Sequence, residues 1–179
     1  MADREKLERI FAEHGCDDFK WMKPRDIVVS QWVRMKCQFG CEDYGLQATC
    51  PPNNPSVEEC RSFFAEFSEA AVFHFGRFFE NPEDRYEWVR EVNASLFKIE
   101  RSVFFLGHHK AFVVYIGPCS ICANCVPERS KCKHPRRARP SPEGLGVDVF
   151  STARKCGFEI DVLTDYDQAM NRFGILLVE

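Results

Sequence analysis

Four cysteines in one short segment carry the strongest chemical signal in this sequence. Cys119, Cys122, Cys125 and Cys132 follow the spacing C-x2-C-x2-C-x6-C. Three thiols separated by two residues each bring their sulfurs onto one tight loop, as a cubane iron–sulfur cluster requires, and its fourth ligand comes from further along the chain. The bacterial ferredoxin spacing matches the first three positions and differs at the fourth. We therefore predict an iron–sulfur cluster here, with zinc as the alternative, since zinc sites more often use separated C-x2-C pairs.

A second group of thiols lies earlier in the chain, in the pattern C-x3-C-x8-C-P-P, and consists of Cys37, Cys41 and Cys50. Gly40 and Gly45 allow the backbone to wrap closely around a bound group. The two prolines after the last cysteine exclude helix and stiffen the exit. The pattern predicts another cluster, with zinc or merely packed cysteines as alternatives. We call these three residues the first cysteine set and the four above the second cysteine set.

The first cysteine set lacks an obvious fourth thiol. Cys60 is the nearest candidate metal ligand, but Ser56 begins a helix with a capping box, so a buried core cysteine is also expected there. Cys16 is a more remote candidate. Without either thiol, one metal position would be open to Glu42, Asp43, water or a substrate, and zinc with an open position would likewise indicate catalysis.

Composition limits the class of protein. The chain has 179 residues, enough for one domain spanning 1–179 with a sizeable core. No apolar run reaches membrane-span length, and the charged start of the chain lacks an export signal. Ten cysteines without such a signal favour the reducing cytoplasm and metal ligation. The net charge of −3 argues against nucleic-acid binding.

Hydrophobic patterns predict strands alternating with helices. Strands are expected at 26–35, 70–76, 110–117, 158–163 and 173–178, and helices at 3–14 and after Ser56, Asn81 and Ser141. This alternation favours an α/β fold, or α+β, with a largely parallel sheet of about five strands and helices on its faces. Because each cysteine loop follows a predicted strand, both loops are expected at one edge of the sheet.

A basic run follows the second cysteine set and comprises Lys131, Lys133, Arg136, Arg137 and Arg139. It is either a solvated loop or a docking surface for an acidic redox partner or an anionic substrate.

Several motifs taken together resemble a known family: Tyr44-Gly45, Cys50-Pro51-Pro52, Gly117-Pro118-Cys119, Cys132-Lys133-His134-Pro135 and the stretch 139–149. The sequence resembles the predicted metal-binding proteins of domain of unknown function 2284, from about Asp26 to about Gly157. The resemblance implies metal binding, iron–sulfur in kind, in mainly anaerobic prokaryotes, and it supplies no reaction. Carried over to this chain, the ligand positions would be Cys37, Cys41, Cys50, Cys119, Cys122, Cys125 and Cys132.

Three functions remain open from the sequence. The favoured one is a redox protein with two [4Fe-4S] clusters that transfers electrons to or from a partner oxidoreductase. The second is an enzyme that uses an open iron at the first cysteine set, which predicts a pocket with polar groups beside those thiols. The third is a zinc-bound structural or interaction module.

Overall fold

The chain folds around a four-stranded antiparallel sheet with helices on both faces. The computed structural model describes residues 3–165 and 168–179. Its helices and strands are α1 (Arg4–Glu13), β1 (Phe19–Met22), α2 (Gln31–Gly40), α3 (Val57–Ala65), β2 (Glu69–Arg77), α4 (Arg85–Phe105), β3 (Phe112–Val114), α5 (Val149–Lys155) and β4 (Met170–Val178). Short 3-10 turns lie at Pro24–Asp26, Pro82–Asp84, Arg129–Lys131 and Glu143–Leu145.

The prediction of a largely parallel sheet of about five strands is wrong. The strand order is β1-β2-β4-β3, and every neighbouring pair is antiparallel. The chain does pass from β2 through α4 to β3 as a crossover, and those two strands run in the same direction. However, β4 lies between them and pairs with both, so the parallel strands never touch. The fold is therefore α+β.

The strand expected at 26–35 is mostly helix. Only a short extended piece forms, where Val29 bridges to Val147, and α2 begins at Gln31. Val33 is the buried residue of α2, so the β-favouring side chain of Trp32 faces outward and pairs with no strand. Gln, Met, Arg and Lys are good helix formers, and they outweigh the short alternating pattern.

Two other expected elements also differ. The helix predicted after Ser141 is a 3-10 turn that ends at Gly146, which has a positive φ of 77°. The helix resumes only after Asp148, whose side chain caps α5. The strand expected at 158–163 does not form in the described residues, although Phe158 and Ile160 are buried there. The alternating burial of these two side chains comes from packing into the core and does not involve pairing with another strand.

The two faces of the sheet carry separate cores. Residues of α1 and α4, such as Leu7, Phe11 and Leu96, pack on one face. Residues of α3 and α5, such as Phe64 and Ala153, pack on the other. The described residues contain no helix with the length and apolar character that crossing a bilayer would require.

Candidate metal centre

The first cysteine set lines a single cavity at the end of α2. Cys37 lies in the last turn of that helix, Cys41 follows its last residue, and Cys50 comes after a loop rich in turns. The cavity has a volume of about 180 Å3. Its other polar side chains are those of Asp43, Tyr44, Gln47, Ser141, Glu143 and Arg172. The three thiols grouped by spacing therefore share one volume, although the first of them lies on a helix instead of following a strand.

One backbone carbonyl ties the walls of this cavity together. Arg34 of α2 donates from Nη2 to the carbonyl oxygens of Gly144, at 2.9 Å, and Pro55, at 3.0 Å. Asn54 donates from Nδ2 to the same Gly144 oxygen at 2.7 Å. A Cβ at Gly144 would lie 2.7 Å from Asn54 Nδ2, so a larger residue would displace the Asn54 side chain from this hydrogen bond. The helix, the loop after Cys50 and the 3-10 turn are thus held in one arrangement.

Side chains of α4 hold the entrance to the second cysteine loop. Asn93 accepts from the backbone N–H of Ile116 at 3.1 Å and donates to the carbonyl of Pro118 at 3.4 Å. Arg90 donates to the carbonyl of Ser120 at 3.1 Å. These bonds fix the backbone on both sides of the first thiol in that loop.

A buried ion pair holds the exit of the same loop. Arg139 donates from Nε to Glu100 Oε2 at 2.9 Å and from Nη2 to Glu100 Oε1. Glu100 Oε2 also accepts from the N–H of Val113 at 2.7 Å. The Arg139 side chain is only 15% exposed. Arg139 is therefore committed to an internal ion pair, whereas the other four residues of the basic run are exposed: Lys131, Lys133, Arg136 and Arg137.

Burial keeps several of the thiols protonated. It raises the pKa of Cys50 to about 12, and the neighbouring thiols Cys41 and Cys37, the carboxylate of Asp43 and the thiol of Cys125 raise it further. Burial also raises the pKa of the first thiol of each set. A metal must displace these protons, so binding releases protons and depends on pH.

The loops that carry the two cysteine sets are in contact. Cys125 of the second set is among the groups that raise the pKa of Cys50 in the first. Asn53 Nδ2 connects the loops by donating to the carbonyl oxygens of Gln47, at 3.1 Å, and Pro127, at 2.6 Å. The sequence predicted this meeting at the edge of a parallel sheet, but the loops meet without that sheet.

Three buried side-chain atoms lack a hydrogen-bond partner among the described residues: Arg34 Nε, Thr49 Oγ1 and Ser120 Oγ. Each belongs to a residue close to a cysteine of one of the two sets. Unpaired buried polar groups are rare because each costs about 1–3 kcal/mol. Their concentration at the thiols, together with the donor chemistry, fits a bound group at these loops.

No group of three or more His, Cys, Asp or Glu residues in the described ranges is arranged around a position for a single metal ion. The remaining cysteines lie apart from the cavity of the first set. Cys60 is 1% exposed on α3 and donates to the carbonyl of Pro55 at 3.7 Å. Cys16 and Cys156 donate to backbone carbonyls elsewhere, at 3.7 and 3.8 Å. All ten thiols are free.

Sequence reasoning missed several residues that shape the two sites. Glu143 lies in the stretch that carried the family resemblance, so its position next to a metal loop could have been suspected. Asn93 and Glu100 are polar residues on the apolar face of α4, and that break in the pattern was a usable signal. Arg172 lies in a strand far along the chain, and nothing in the sequence connects it with the thiols.

A family comparison adds to this geometry. The family model described as predicted metal-binding protein (DUF2284) matches residues 20–178. The chain belongs to this family. The match confirms the resemblance drawn from the cysteine and proline motifs, and both cysteine sets of this DUF2284 protein lie inside the matched range. Comparison with curated proteins gave no match, and comparison with solved structures gave none.

Proposed function

We propose that this DUF2284 protein is an electron carrier with two adjacent [4Fe-4S] centres. The first cysteine set holds one centre and the second set holds the other. The bound clusters would supply one-electron redox chemistry, with the electron coming from or going to a partner oxidoreductase. The chain's own residues bind the irons through thiolates, exclude water and hold the two loops in a fixed position relative to each other.

The proximity of the two sets is the observation that carries this proposal. Asn53 links the two loops by hydrogen bonds to the carbonyls of Gln47, at 3.1 Å, and Pro127, at 2.6 Å, and Cys125 contributes to the raised pKa of Cys50. Adjacent centres allow an electron to pass from one to the other, whereas a purely structural role would not require the two thiol groups to meet. The buried ion pair and the Asn93 contacts add rigidity around the second loop.

The cavity lined by the three thiols of the first set has room for a group larger than a single metal ion. A water molecule occupies about 30 Å3 of the liquid, so the cavity of about 180 Å3 is several times larger. A single zinc ion draws its thiolates to about 2.3 Å from one point. A cluster instead gives each thiolate its own iron and keeps the sulfurs apart.

The partner would dock at the exposed part of the basic run, at Lys131, Lys133, Arg136 and Arg137. Cationic side chains beside a redox centre attract an acidic partner and raise its rate of association. Ten free thiols accord with a reducing cytoplasmic setting.

The second candidate is an enzyme with an open iron at the first set. The presence of polar side chains such as Ser141 and Arg172 on the cavity wall favours it. Such an enzyme would have one iron that exchanges its ligand with substrate.

The test is metal and sulfide analysis of protein purified without oxygen, with electron paramagnetic resonance after reduction. The wild type should contain about eight iron and about eight sulfide per chain. Cys50→Ser and Cys122→Ser should each lose one centre and keep the other. Cys156→Ser is the matched control, since that thiol bonds to Lys20 away from both loops, and it should lose nothing. Stoichiometric zinc without iron would overturn the proposal.

A further inference from the structure

The first cysteine set has three thiols, and the cysteines outside both sets do not lie on its cavity. Cys60 lines a different cavity, beside Phe63 and Phe112. Cys16 belongs to the core formed with α1 and α4. Cys156 packs beside β1 and donates to the carbonyl of Lys20. A fourth ligand for this centre must therefore be sought among the oxygen donors of the cavity wall.

Two acidic residues, Asp43 and Glu143, lie on that wall, and Glu143 contacts Cys37 through its backbone. The Cys37 sulfur lies 4.0 Å from the backbone oxygen of Glu143. Glu143 also lines the cavity that the three thiols share. This residue therefore lies beside a thiol of the first set and on the wall of the shared volume.

Glu143 is also held more firmly than Asp43. Its backbone belongs to the 3-10 turn, where its carbonyl accepts from Gly146 N at 2.9 Å. Gly144 N donates to Ser141 Oγ at 3.1 Å, and Gly144 O accepts from α2 and from the loop after Cys50. Asp43 is exposed in the loop between Cys41 and Cys50. A metal ligand benefits from a fixed position, since less freedom is lost when it binds.

Nearby cations offset the charge that such a ligand set would gather. Three thiolates and a carboxylate carry four negative charges. Arg34 lies on α2 three residues before Cys37, and its guanidinium donates to the carbonyl of Gly144, the residue after Glu143, at 2.9 Å. Arg172 lines the same cavity from β4. Its Nε donates to the sulfur of Met170 at 3.4 Å.

We propose that Glu143 provides the fourth ligand of the first centre, giving it three cysteine sulfurs and one carboxylate oxygen. This inference rests on the proposed function and adds a specific residue to it. Carboxylate oxygen is an accepted ligand for both iron and zinc. With Glu143 bound, no iron is left open, which favours an electron carrier over an open-iron enzyme.

The experiment compares four proteins purified without oxygen: the wild type, Glu143→Gln, Glu143→Cys and Asp43→Asn. Iron and sulfide are counted, the spin-resonance spectrum is recorded, and the reduction potential of each centre is titrated. Glu143→Gln should lose one iron from the first centre and show the signal of a three-iron cluster when oxidised. Glu143→Cys should keep all its iron and shift the potential of the first centre alone to lower values. Asp43→Asn should keep all its iron.

A thermal melt of each variant without metal separates ligand loss from misfolding. Unchanged iron and an unchanged spectrum in Glu143→Gln would overturn the ligand assignment and leave the two-cluster function intact. Loss of iron in Asp43→Asn instead of in Glu143→Gln would also overturn the ligand assignment. If the wild type holds zinc and no iron, the electron-carrier function fails, and the ligand is read from cobalt-substituted protein. In the cobalt-substituted protein, Glu143→Gln must change the visible absorption spectrum; an unchanged spectrum would show that Glu143 is not a ligand.

Discussion

Asn93 satisfies two backbone groups at the entrance to the second cysteine loop. It is 3% exposed and lies on α4, where every neighbour on the buried face is apolar or part of the Glu100 ion pair. An amide has both a donor and an acceptor, so one side chain can serve the N–H of Ile116 and the carbonyl of Pro118. A single residue therefore couples the longest helix to the position of Cys119.

Replacing Asn93 by alanine should destabilise the protein by about 1–3 kcal/mol, since it leaves the Ile116 N–H buried and unpaired. The second centre should also lose iron faster to a chelator, because the backbone before Cys119 is released. Urea denaturation and the rate of chelation measure the two effects. Glu91→Ala, exposed on the same helix, is the control. Equal stability of the Asn93 and Glu91 variants would contradict this account.

Glu69 gives the protein a predictable sensitivity to acid. Its side chain is 4% exposed and accepts from Arg4 at 2.5 Å and Lys23 at 2.9 Å. Burial raises the pKa of Glu69, but the hydrogen bonds from Lys23 and Arg4 outweigh burial, so the pKa lies below its ordinary value. The carboxylate therefore stabilises the fold above the ordinary glutamate pKa of about 4.3 and loses this effect as the pH falls through the lower folded-state pKa.

The free energy of unfolding should thus differ between wild type and Glu69→Gln by about 1–3 kcal/mol at pH 7, and the difference should shrink below about pH 4. Denaturant titrations at a series of pH values measure it. Glu66→Gln, exposed at the end of α3, should follow the wild-type curve. A difference that stays constant down to pH 2.5 would rule out this role for Glu69.

At the scale of elements, α4 organises the second cysteine loop from both sides. Its early turns hold the loop's entrance through Arg90 and Asn93, and Glu100, two turns later, holds the exit through Arg139. Glu100 also accepts from the N–H of Val113 in β3. The helix thereby connects a strand of the sheet to both ends of the metal loop.

Removing the Glu100 carboxylate should be costly, because it leaves the Arg139 guanidinium buried without its partner. Glu100→Ala should cost about 3–5 kcal/mol, and Glu100→Gln should cost less, since an oxygen acceptor remains. Chemical denaturation measures both. Glu87→Gln, exposed on the first turn of α4, should change little. The double variant Glu100→Leu/Arg139→Met should recover much of the loss if the unpaired charge is the cause.

At the scale of the whole molecule, local sequence patterns predicted individual elements better than they predicted how the strands pair. Helix α1, the capping box before α3 and the start of α4 at the acidic turn after Asn81 could all be read along the chain. The spacing of the first cysteine set also grouped three thiols that share one cavity, whereas metal ligation by either set stays a prediction. The pairing of the strands could not be predicted in this way, because β4 comes last in sequence yet lies between β2 and β3. The extent of α2 was also hidden, since its helix-forming residues alternate with Trp32 and Val33, which favour strands. Arg172 approaches the thiols only because β4 takes that central place.

Gly174 in β4 allows α4 to approach the sheet. A Cβ there would lie 2.8 Å from Leu96 Cδ1, 3.2 Å from Ile116 Cγ2 and 3.3 Å from the carbonyl oxygen of Val114. Gly174→Ala should therefore destabilise the protein by about 1–3 kcal/mol through overpacking.

Thermal or urea unfolding measures this cost. Gly76→Ala in β2 is a matched control, because its nearest neighbour would be 3.5 Å away. Shortening the clashing side chain in Gly174→Ala/Leu96→Val should cost less than the sum of the single changes. Strict additivity would show that the two residues do not compete for the same space.

The central place of β4 also sets an order of events during synthesis. Both cysteine sets have been made before β4, and until β4 is available β2 has only β1 as a partner and β3 has none. A ribosome builds the chain from its amino end, at about 5–20 residues per second. The thiol loops therefore leave the ribosome before the four-stranded sheet can form. Newly made chains therefore pass through an interval in which both loops lack their supporting framework. Metal delivered in that interval would meet thiols without their final geometry, so maturation of this protein should follow the completion of its last strand.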